Sequence, residues 1–217
     1  MPTGLTYSSL VTDMQNYSQK GSATADATTY AEIPRIINRA EITLARELKV
    51  QGYQSSVTAN FVSGTPVVQK PTDWLNNISI NYNSSLVGVS RVFLFPRSYE
   101  YLRVYWPDET ETDSPKFYAD YGDNNWLIAP TPDAAYEFEL VYYALPALLD
   151  SSNETNWLTE KAPDLLLNQC IVDLGMYLGW KADKAAPFVE KRDKIKAELT
   201  GQDLMRVVDR ATTRRTS

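Results

Sequence analysis

The spacing of apolar residues changes twice along the chain. Up to about residue 53 they recur at three and four, from about 54 to 145 they alternate with period two, and after 145 the helical spacing returns. A strand-rich middle flanked by helical ends predicts an α+β protein: an α-helical bundle of about four helices with an antiparallel β insertion and an extended C-terminal tail. Read from the period, the helical bundle domain takes 1–53 and 146–200, the β insertion domain 54–145, and the tail 201–217.

Leu5, Leu10, Met14 and Tyr17 place a first helix within 5–19. Ile33, Ile36, Ile37, Ala40, Leu44 and Leu48 predict a second from about Glu32 to Val50, with Pro34 in its first turn. Arg35, Arg39, Glu41, Arg46, Glu47 and Lys49 fall on its other face, and Gly52 is a stop. Pro163 and Asp164 open a third helix, wide and apolar through Leu166, Leu167, Cys170, Ile171, Leu174, Tyr177 and Leu178. The fourth runs from Lys184 to Leu199, with Pro187 near its start and Gly201 at its end. Between these lie six β-rich runs at 57–62, 78–82, 90–95, 116–121, 125–130 and 136–145, with a short helix within 97–105. Gly122, Asp123 and Asn124 mark a hairpin turn.

Composition removes several chemistries. The chain has 0 His and 1 Cys. Triads and His/Cys zinc sites therefore lose their parts, and Cys170, in an apolar helical run, reads as a small hydrophobe. No Gly-rich phosphate loop is present, so no cofactor is expected. The start, MPTGLTYSSLVTDM, has neither the basic flank nor the apolar core of a signal peptide, and no run approaches the roughly 20 apolar residues of a bilayer span. These observations predict a soluble protein.

The net charge of −6 opposes broad attraction to nucleic acid. Asp108, Glu109, Glu111 and Asp113 could form a carboxylate pair or a cation site, but four acids in a Pro-flanked loop read first as a solvated segment. Tyr99, Tyr101, Tyr105 and Trp106, then Phe117, Tyr118, Tyr121 and Trp126, are read as strand packing and subunit contact ahead of a stacking platform for bases or sugars. No catalytic or metal-binding residue is assigned, and the expectation is a protein that is not an enzyme. Past the fourth helix the sequence turns basic. Leu204, Met205, Val207 and Val208 stand among Arg206, Arg210, Arg214 and Arg215, either as a solubilising end or as a segment that orders on a partner.

The run from 142 to 180 carries the most specific pattern. Leu145, Pro146 and Leu148 break a strand, Asn156, Trp157 and Leu158 follow a polar stretch, and Ala162, Pro163, Asp164, Leu165 and Leu166 open a leucine-rich helix. A weaker echo lies in KPTDWLNNISINY, where Pro71, Asp73 and Trp74 precede a strand. These residues resemble the bacteriophage head-to-tail adaptor (connector) proteins. The resemblance implies a structural virion protein at the head-tail junction, assembled in the host cytoplasm. It implies a homo-oligomeric ring, typically of twelve copies, between the portal protein and a nozzle or tail tube protein, with genomic DNA passing without specific binding and no membrane contact. It also implies that the tail docks on the portal. Another head-completion or tail-terminator ring protein, a carbohydrate-binding β module and, least favoured, an enzyme using acidic residues are the alternatives.

Overall fold

Polar side chains start the first two helices. In the computed structural model, which describes residues 4–19, 26–83 and 91–213, the last stretch from 203 by its backbone alone, Thr6 and Ser9 form a reciprocal capping box at the start of α1 (Tyr7–Ser18). Asp26 accepts the Thr29 amide at 3.1 Å and the Thr29 hydroxyl at 2.8 Å, opening α2 (Ala27–Glu47). That cap starts α2 earlier than the expected Glu32, so Pro34 lies inside the helix. A 3-10 turn, Gln51–Tyr53, precedes the strands, and α3 (Tyr99–Tyr105) lies among them. Three further helices follow: α4 (Trp157–Lys161), α5 (Pro163–Tyr177) and α6 (Ala182–Thr213).

The chain divides into two compact units, Met1–Tyr53 with Leu145–Ser217, and Gln54–Ala144. In the helical unit α5 is the central element, packing against α1, α2, α4 and α6. Its Leu165, Leu166, Cys170, Ile171 and Leu174 are buried, as are Leu10 and Met14 of α1 and Ile33, Ile37 and Leu44 of α2.

The β unit holds β1 (Gln54–Asn60), β2 (Val67–Gln69), β3 (Trp74–Tyr82), β4 (Val92–Pro96), β5 (Thr112–Asp113), β6 (Phe117–Asp120), β7 (Asn125–Ala129), β8 (Thr131–Pro132) and β9 (Glu137–Ala144). Seven of these form one sheet in the order β1-β9-β3-β4-β6-β7-β2, and β5 and β8 make a separate parallel pair. β9 lies between β1 and β3, antiparallel to both, with Val57 and Ile80 each opposite Leu140. β6 runs parallel to β4 because α3 intervenes as a crossover. Consecutive strands β1 and β2 occupy the two ends of this order. In a flat sheet, six gaps of about 4.8 Å would hold those ends about 29 Å apart. The link from Asn60 to Val67, even fully extended, reaches only about 25 Å, and it contains a turn in which the Thr65 amide meets the Val62 carbonyl at 3.0 Å. The sheet is therefore curled.

One face of the curl holds Phe61, Ile80, Tyr82, Leu94, Trp126, Ile128, Phe138, Leu140 and Tyr142. The alternate residues Ala119, Leu127 and Ala129 face the other way and pack with Leu102 of α3.

This architecture corrects the expected fold. Among the described residues six α-helices are present rather than about four, and the middle of the chain is a large, curled, mixed sheet rather than an antiparallel insertion. The C-terminal segment is not extended: α6 continues through Gly201 to Thr213. A glycine inside a helix costs only about 1 kcal/mol relative to alanine, and no proline follows it to stop the helix.

Candidate functional site

Within the helical unit, the segment from Leu145 to Lys161 is strapped down by side chains from three directions. Glu41 of α2 is fully buried and accepts hydrogen bonds from the Leu149 amide at 3.0 Å and from Asn156 Nδ2 at 2.5 Å. The same Asn156 caps α4, its Oδ1 accepting the amides of Leu158 at 3.0 Å and Thr159 at 3.3 Å, while the Thr159 hydroxyl returns a bond by accepting from the Asn156 amide. Glu154 accepts the Ser8 amide and hydroxyl, tying the strap to the start of α1. Trp157 packs on Tyr53 with ring centroids 5.3 Å apart, directly over Gly52, where a Cβ would lie 2.0 Å from Trp157 Nε1.

Charge in this unit follows burial. Desolvation raises the Glu41 pKa, against the two hydrogen bonds that lower it. Burial likewise raises the Asp173 carboxyl, although Gln169 donates to it at 3.0 Å, and pushes the Cys170 thiol well up. Tyr53 is raised by its own burial and by nearby Glu41, and its hydroxyl finds no partner among the described residues.

The motif residues fall along this strap. Leu145, Pro146, Leu148, Asn156, Trp157 and Pro163 are half-buried, Leu158, Ala162, Leu165 and Leu166 are buried, and Asp164 is exposed at the start of α5, 3.6 Å from Lys191 Nζ. Glu41 was expected on the polar face of its helix, and the structure places it inside. Its signal was available: it follows Ile37 by four and precedes Leu44 by three, within the apolar stripe.

The β unit divides its aromatic residues between core and surface. Trp126 is buried edge-on to Trp74 and Tyr118. Lys70 is buried beside it, its ammonium 4.0 Å from the Trp74 ring centroid and 2.7 Å from Asp120 Oδ1. Trp106 and Tyr101 pack on Phe117, whereas Phe93, Phe95, Val104 and Tyr105 are each more than half exposed. Three of the four acids in the loop have local partners: Glu109 pairs with Arg103, Asp113 with Lys116, and Asp108 accepts from Thr110. Hydrogen bonds from Thr110 hold Asp108 below the usual carboxylate range, and the Ser114 amide does the same for Asp113. No group of His, Cys, Asp or Glu placed to hold a metal ion occurs among the described residues. No helix there is long and apolar enough to cross a membrane.

The side chains of Leu204, Met205, Arg206, Val207, Val208 and Arg210 lie outside the described residues, as do Arg214 and Arg215 entirely; the backbone of 204–210 continues α6.

The arrangement offers contact surface: a 32-residue helix, aromatic side chains exposed to water, and an uncharged strand, β1. The chain belongs to the SU10 adaptor protein family, whose profile matches residues 5–217, and is thus a structural adaptor component of a bacteriophage particle. None of the curated proteins matches it.

Proposed function

We propose that this adaptor forms a ring at the head-tail junction, joining the portal to the tail or nozzle and surrounding the path of the DNA. The family match over nearly the whole chain carries this reading. Twelve copies would suit the typical symmetry of such rings, and a closed ring lets many modest contacts act together. A net charge of −6 disfavours holding DNA as it passes. The portal contact falls to the C-terminal end of α6 and the residues that follow it in sequence, with Leu204, Met205, Val207 and Val208 as apolar anchors and Arg206, Arg210, Arg214 and Arg215 as donors. At about 1.5 Å per residue, the 32 residues of α6 extend about 48 Å, a length suited to reaching a neighbouring ring.

Co-sedimentation with portal rings from the same particle tests this, comparing the full chain with one ending at Thr200. Saturable binding that the truncation weakens, with an unchanged core by circular dichroism, is the expected result. Binding that survives truncation moves the portal contact elsewhere on the adaptor. No binding by either chain returns the reading to a tail-terminator.

A further inference from the structure

We propose that the free edge of β1 is a strand-addition site through which one copy of this chain joins the next in the ring, an inference that rests on the ring reading above. Among the described residues β1 pairs with β9 alone, and it stands at the end of the seven-stranded sheet. Its seven residues, QSSVTAN, pair with β9 in unbroken register and contain no proline, lysine or other charge, so the strand itself lacks the charge, proline and bulge that commonly blunt an exposed edge.

A second observation asks for a covering strand. Residues directly opposite in an antiparallel pair point to the same face of the sheet. Val57 lies opposite Leu140 and Ala59 opposite Phe138, and both partners are buried in the core. Val57 nevertheless remains 37% exposed and Ala59 is exposed. The core-facing row is therefore uncovered where the sheet ends, and a strand laid along β1 would both satisfy its outer backbone groups and close that row.

Charge selects the occupant. Identical copies bring identical charge together, and acids crowd much of the β unit, at Asp108, Glu109, Glu111, Asp113, Asp120, Asp123, Glu137 and Glu139. A basic partner would favour those surfaces. A second copy meets no charge on β1 itself, and of the two acids on the adjoining β9, Glu139 is paired with Arg91. A closed ring needs two unlike surfaces, and the other end of the sheet, β2, is also uncharged through Val67, Val68 and Gln69.

The test is assembly on portal rings by wild type and by Val57→Lys, with Thr58→Lys as a second variant whose change lies off the core face. Thermal melting establishes that each variant is folded. Wild type forming rings while either folded variant assembles at least about tenfold less well is expected, because lysine on a strand edge opposes addition. Folded variants that assemble as well as wild type overturn the β1 proposal and leave the ring reading standing. Wild type that binds portal without oligomerising overturns the ring reading, and this proposal with it. A photo-cross-linking residue at position 58 identifies the occupant in the assembled ring: an adduct to a second copy supports the proposal, and an adduct to the portal or a tail protein overturns it.

Discussion

The helical unit buries two carboxylates, Glu41 and Asp173, together with polar Thr159, Asn168 and Gln169, whereas no acid among the described residues of the β unit is fully buried. The β unit instead buries one lysine against tryptophan and leaves phenylalanine and tyrosine in water. In the helical unit, polar groups fix where a non-repetitive strap lies, since Glu41 is satisfied only when both Leu149 and Asn156 are in place. In the β unit, position comes from ring packing and strand register, and much apolar surface is left over for contact.

The sharpest way to break this contrast is Trp126→Ala, which empties the aromatic centre of the β unit and removes a neighbour of Lys70. A loss of about 3–5 kcal/mol is expected in denaturant unfolding, with strand signal lost ahead of helix signal. Asn156→Ala attacks the other unit. It removes the α4 cap and leaves Glu41 one donor short, for a cost of about 2–4 kcal/mol by the same measurement. Gly52→Ala forces Trp157 off Tyr53 and should cost about 1–3 kcal/mol, seen as a change in tryptophan fluorescence together with a lower melting temperature.

The smallest effect is in pH dependence. The Glu41 pKa is raised in the fold, so the folded chain binds the extra proton and this residue's contribution falls as pH rises from the unfolded value through the folded one. Asp150 and Glu154, held low by hydrogen bonds, act in the opposite sense, losing their contribution as pH falls. Glu41→Gln should therefore remove the Glu41 share of the falling component and leave the share of Asp173, whose carboxyl is also raised by burial. Stability profiles of wild type and variant with identical slopes above the usual carboxylate range would refute burial of an ionisable Glu41.

What the sequence revealed depended on how local the cause was. Pro163 starts α5 and the Gly122 turn joins β6 to β7 as expected, because each follows from one residue's backbone preference. The strap helix α4 was missed, since five residues show no period and its capping box is hidden in a polar stretch. β2, β5 and β8 are too short to alternate visibly. The parallel β4–β6 pair depends on the path taken through α3, which strand periodicity does not encode. Gly201 misled because a glycine that ends one helix is tolerated inside another. Of the candidate surfaces, the basic C-terminal stretch was conspicuous in composition, but the uncovered edge of β1 emerged only from pairing, where Val57 proved to stand opposite a buried leucine.

The position of β9 between β1 and β3 also sets a schedule for synthesis. A ribosome makes β1 and β3 well before the strand that joins them, and neither can complete its pairing until Ala144 has left the exit tunnel. The N-terminal helices wait longer still, because their packing partner α5 comes after the whole sheet. The segment up to β3 therefore emerges unable to settle alone, and its earliest strand, the uncharged β1, stays unpaired on both sides until β9 has followed it out.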